Sequence, residues 1–264
     1  METKTKDDTA DVVDVRSLLD ECIFLPYSIQ EHGIIWLIVD DYLEYGDDGD
    51  DAEIMRRGLG YLHNTVCDIN NGLDGACYGG YLELVELMIS KGADDWTLGL
   101  YRACEGGHLK IVELMISKGV DYRNGGAFNV WNGGLFSACG GGHLELAELM
   151  ISKGANDWNW GLRGACIGGH VKLVELMISK GVYDWNRGLH GACLGGHFKF
   201  VELMISKGAN DWLEGLHEAC RGNHLELVQL MTSKGIIKYD IHRCLSTHWY
   251  TSNTDIIAHL ESLL

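Results

Sequence analysis

Cysteine and histidine recur at a fixed distance from each other in this chain of 264 residues. The pairs are Cys104/His108, Cys139/His143, Cys166/His170, Cys193/His197 and Cys220/His224, each spelling C-x₃-H. Both side chains ligate zinc, so two per unit would let successive units share a four-ligand site. Closed zinc sites use C-x₂-C and H-x₃-H spacings, and neither occurs here. The rival assignment makes each cysteine a compact core hydrophobe and each histidine a turn residue. We take the pairs as structural and keep a Cys/His metal array as the alternative. Equivalent positions on stacked helices lie about 8–10 Å apart, too far for a disulfide, so reduced thiols are expected.

Other chemistry is sparse. The loop "GDDGDD" at Gly46–Asp51 is acidic but lacks the spacing and closing glutamate of a calcium loop. There is no G-x-S-x-G elbow and no phosphate-binding glycine loop, so the chain reads as non-catalytic, with no cofactor. A net charge of −17 disfavours nucleic acid and anionic membranes and favours a protein partner with a basic surface. The opening residues offer no basic or apolar signal region, and the longest apolar run is Ile34–Val39, far short of a membrane span. An intracellular, cytoplasmic, monomeric protein is expected.

The elements that position the Cys/His pairs are repeats. L-x-x-A-C occurs at Leu73, Leu100, Leu135, Leu162, Leu189 and Leu216, in steps of 27, 35, 27, 27 and 27 residues. A G-G-H-type turn follows each, and then E-L-M-I-S-K-G, identical from Glu86, Glu113, Glu148, Glu175 and Glu202 and faded to "QLMTSKG" at Gln229–Gly235. Leu162, Ala165 and Cys166 share one face of a first helix, which Gly168-Gly169 ends. Val171, Val174, Leu176, Met177 and Ile178 form the stripe of a second helix, with Lys180 in its last turn and Gly181 at the position needing φ > 0. Helices this short are unstable alone, so neighbouring copies must stack into an all-α solenoid.

The unit Gly161–Gly181, with the G-A-N-D ending seen at Gly154–Asp157, resembles the ankyrin repeat. The family pattern runs T-P-L-H-x-A-A-x-x-G-H-x-x-V-V-x-L-L-L-x-x-G-A-D. Two departures stand out: the first helix lacks the Thr-Pro start, and each unit is six residues short of the family's 33. The shortfall falls where ankyrins place a β-hairpin finger, so the resemblance implies fingers that are missing or cut to tight loops. Nearly identical short units of this kind are similar to arrays expanded in large DNA viruses and in some amoebal hosts or bacteria. The resemblance further implies a protein-interaction scaffold or adaptor, with the first helices lining the concave side. The alternative is an adaptor that recruits an enzyme such as a ubiquitin ligase through its N-terminal segment.

Trp96, Trp131, Trp158, Trp185 and Trp212 each stand four residues before the next leucine. We read them as plugs over the helix ends exposed by the missing finger; a ladder of partner anchors is the rival reading. The long step contains Val120–Trp131, where Asn124-Gly125 between Tyr122 and Phe128 signals one β-hairpin insertion, either functional or a tolerated loop. The copies differ most after the leucine (Asp74, Tyr101, Phe136, Arg163, His190, His217) and after the cysteine (Tyr78, Glu105, Gly140, Ile167, Leu194, Arg221). Drift on a free surface would produce this variety, and so would a binding face. The expected partner-binding residues are therefore Tyr101, Phe136, Arg163, His190 and His217, joined by Tyr122 and Phe128. Residues 1–15 are expected as a disordered acidic tail, 16–72 as a helical cap or degenerate repeats (helices at Gly33–Tyr45 and Ala52–Asn64), 73–235 as six repeats and 236–264 as a capping repeat. In that cap Ile241, Cys244 and Leu245 mark a first helix, and Asn253 or Thr254 caps the second.

Overall fold

The computed structural model describes residues 69–120, 129–246 and 253–264. The expectations for 1–68, including the acidic loop, and for the inserted hairpin with Tyr122 and Phe128 lie outside the described residues. All regular structure among the described residues is helical, with no strand. None of these helices is long and apolar enough to cross a membrane. The chain divides into two compact units, Met1–Asp95 and Trp96–Leu264.

In the first unit, α1 (Ile69–Gly79) and α2 (Leu82–Ser90) form one repeat. The second unit repeats that hairpin: α3 (Trp96–Gly106) with α4 (Leu109–Lys118), α5 (Val130–Gly141) with α6 (Leu144–Ser152), and α7 (Trp158–Gly168) with α8 (Val171–Ser179). Then follow α9 (Trp185–Gly195) with α10 (Phe198–Ser206), α11 (Trp212–Arg221) with α12 (Leu225–Thr232), and a closing pair, α13 (Lys238–Ser246) and α14 (Thr254–Glu261). Within the second unit each first helix packs on its own second helix, and from α3 to α11 each first helix packs on the next. This sequential stacking is an all-α, ankyrin-like solenoid.

The first helices are longer than the L-x-x-A-C signature suggests. From α3 to α11 each first helix begins at the repeated tryptophan or one residue before it, so the tryptophan occupies the opening turn rather than a connecting loop. An aspartate just ahead supplies the cap: Asp157 accepts from the backbone N–H of Trp160 at 3.0 Å and Asp184 from that of Asn186 at 3.1 Å. The core is the repeated leucine, alanine and cysteine, each at most 1% exposed, closed by the buried methionine of the second helix. The second-helix stripe is narrower than the sequence pattern gave. In α8 the buried residues are Leu173, Val174 and Met177, whereas Val171 is 56% exposed at the solvated first turn.

The shortened connections are held by the residue after the tryptophan. Asn159 is buried, and its Oδ1 accepts from the backbone N–H groups of Tyr183 at 3.2 Å and Asp184 at 3.0 Å. Asn132 does the same for Asn156 and Asp157, and Asn186 for Asn210 and Asp211. Two loop donors are thus satisfied by one side chain. Asn253 caps α14, accepting from Asp255 and Ile256, while Ile241 and Cys244 of α13 are buried.

Candidate functional site

The G-G-H turns build the scaffold behind the site. His143, His170, His197 and His224 each bring Nε2 to 3.1 Å from a carbonyl oxygen of the preceding repeat, those of Glu105, Gly140, Ile167 and Leu194. The ring N–H donates and the carbonyl accepts, which fixes the tautomer. These carbonyls belong to the last turns of the first helices, so the bond locks each first helix to the next repeat. The cysteines sit behind them in the core, where burial pushes the thiols of Cys104, Cys139, Cys166, Cys193 and Cys220 up to about 12. A metal needs the thiolate, which such burial opposes. The described residues contain no group of three or more side chains able to hold an ion.

Trp131 is buried and the other repeated tryptophans are half-buried, with Trp158, Trp185 and Trp212 lying beside the lysine that follows the second helix of their own repeat. Lys180 Nζ is 5.9 Å from the ring centroid of Trp158, Lys207 is 5.9 Å from that of Trp185, and Lys234 is 5.7 Å from that of Trp212. Ring and ammonium form cation–π pairs in these three repeats.

In the second unit the variable positions divide into two regions. Tyr101 and Phe136 line one cleft of about 400 Å³ across α3, α5 and α7. Leu98, Trp160 and Ile167 complete its apolar wall, and Arg102 and Glu105 face each other at 3.0 Å on its rim. Tyr101 lies across Gly133, where an added Cβ would meet the phenol ring at 2.4 Å. Phe136 meets Trp160 edge to face, with centroids 5.4 Å apart and planes at 73°. The floor is open at Gly140, whose hypothetical Cβ would find nothing nearer than Gly164 O at 3.9 Å.

Further along, the variable residues lie against carboxylates of the same fold. Arg163 reaches past the whole next repeat to Glu218, Nη2 to Oε1 at 2.7 Å, and Arg221 holds the other carboxylate oxygen at 2.9 Å. Glu218 is 2% exposed and would be untenable without these partners. His190 Nε2 is 3.1 Å from Asp211, and the buried His217 places Nδ1 3.3 Å from Glu214. Arg163, His190 and His217, selected from sequence as partner anchors, are thus occupied within the fold and do not share the cleft of Tyr101 and Phe136. Trp160 was not singled out, because Trp158 beside it carries the repeat. The available signal was that the second tryptophan of W-N-W occurs in one copy alone.

Residues 73–159 match the family model for ankyrin repeats, in three copies. No curated protein matches the chain. The matched stretch runs from the first repeat leucine to the start of α7, and the same period continues beyond it to Gly235.

Proposed function

We propose that this ankyrin-repeat array is a non-catalytic scaffold or adaptor that seats a protein partner in the cleft of α3, α5 and α7. Ankyrin repeats are generally protein–protein interaction modules. The observation that carries the reading is the gathering of Tyr101, Phe136 and Trp160 around one open, largely apolar cleft, while Arg163, His190, His217 and Arg221 lie against carboxylates of the fold itself. Partly exposed aromatic groups of this kind dominate interface energies, each contributing about 2 kcal/mol or more on truncation.

The glycine floor permits a test that removes nothing. Gly140→Leu fills the cleft with a side chain that other copies tolerate at the same position, as Ile167 and Leu194 show. Partner captured by the wild-type chain should fail to bind this variant, and the melting temperature should hold or rise, since leucine favours the helix over glycine by about 1 kcal/mol. Tyr101→Ala with Phe136→Ala should weaken binding about 1000-fold, the equivalent of about 4 kcal/mol. Retained affinity in both variants would refute the cleft as the docking site.

A further inference from the structure

We infer that Arg163 and Glu218 form a tether that sets the curvature of the array from α7 to α11, holding these first helices close along one face. A solenoid repeat ordinarily touches only its neighbours, so curvature is the sum of small rotations at single interfaces. This ion pair skips a repeat. Arg163 stands on α7 and Glu218 on α11, yet Nη2 and Oε1 are 2.7 Å apart, with α9 between the two helices in the stack. Such a contact exists only while the first helices stand close. Glycine permits that approach: a Cβ on Gly191 of α9 would lie 2.4 Å from the Arg163 carbonyl oxygen, and one on Gly164 of α7 would lie 2.4 Å from that of Phe136. In α11 the same position is Glu218, whose carboxylate closes the span that the two glycines shorten.

The chemistry favours a geometric role over a purely stabilising one. Glu218 is buried, so its charge must be matched where it sits. Arg221, one turn along the same helix, binds the other carboxylate oxygen but is half exposed and constrains nothing beyond α11. Arg163 is the cation that comes from another repeat, and its Nε–H is buried without an acceptor. Apolar side chains of similar size would pack there without that loss. Apolar contacts, however, tolerate sliding, whereas a charge-assisted hydrogen bond at 2.7 Å is lost once the helices part by about 1 Å. The pair therefore selects one separation of α7 from α11.

The test measures that separation in the full chain. Spin labels go on Asn156→Cys and Asn210→Cys, exposed residues of the loops before α7 and α11, with Cys22 and Cys67 changed to serine. The buried repeat cysteines remain unlabelled. The Arg163→Met, Glu218→Leu double variant removes both charges with side chains of similar size, a replacement that buried pairs tolerate. Electron–electron resonance should then show the mean distance lengthened by about 2 Å and its distribution broadened. Arg187→Met, which breaks the exposed Arg187–Asp184 pair at the start of α9, should leave both unchanged. An unaltered distance in the double variant, or an equal shift in Arg187→Met, overturns the inference. Should labelling at Asn156 disturb the fold, the same readout from Asp184→Cys and Asn210→Cys, across α9 and α11 alone, must show the smaller part of the shift; no shift there with none across α7 to α11 likewise overturns it.

Discussion

The carbonyl oxygen of Gly140 is a point where successive repeats lock together. His170 donates to it at 3.1 Å, and a Cβ on Gly168 would stand 2.1 Å from it. The first glycine of the G-G-H turn is thus a steric requirement of the neighbouring repeat, while Gly181, at φ +98° with open space around it, is a conformational one. Gly168→Ala should cost about 2–3 kcal/mol by forcing the helices apart. Gly181→Ala should cost about 1 kcal/mol through left-handed backbone alone. Chemical denaturation of the two variants checks the ranking, and equal losses would contradict it. The cysteines give a pH signature. Cys166 keeps its proton to about 12 in the folded chain against 9.0 for an ordinary thiol. Between those values the unfolded chain has lost a proton that the folded chain retains, so stability is unaffected below pH 9 and falls above it. Each such thiol contributes about 1.4 kcal/mol per pH unit, and Cys166→Ala should flatten the slope by that amount.

The first helices carry both regions of the variable surface, and the difference lies in what faces them. Sequence variation exposed which positions escape the packing constraint, because the copies are otherwise so alike. It could not separate a side chain facing solvent from one facing another variable side chain. Arg163 and Glu218 stand 55 residues apart, and Glu218 sits at a position that is glycine in α7 and α9, so no single unit contains the pair. Asn159 escaped notice because its partners are backbone groups 24 and 25 residues away, which leave no side-chain signature. The bridge should be measurable. A double-mutant cycle of Arg163→Met and Glu218→Gln should give a coupling of about 1–3 kcal/mol, since Arg221 alone would then hold the carboxylate. Coupling near zero would mean that the contact across the intervening repeat contributes nothing to stability.

For the chain as a whole, periodicity made the fold legible. Identical units must make identical contacts, and a 27-residue unit leaves room for two helices and a short loop. Charge was legible too, yet the net value conceals that the repeats beyond residue 95 are nearly neutral, which changes what their surface can attract. The central claim is that partner binding is confined to the cleft of α3, α5 and α7. Hydrogen–deuterium exchange of the full chain, with and without its captured partner, tests it most directly. Exchange should slow at residues 98–105, 133–140 and 160–167 and stay unchanged from 185 to 221. Slowing confined to 185–221, or to the first 68 residues, would contradict the account.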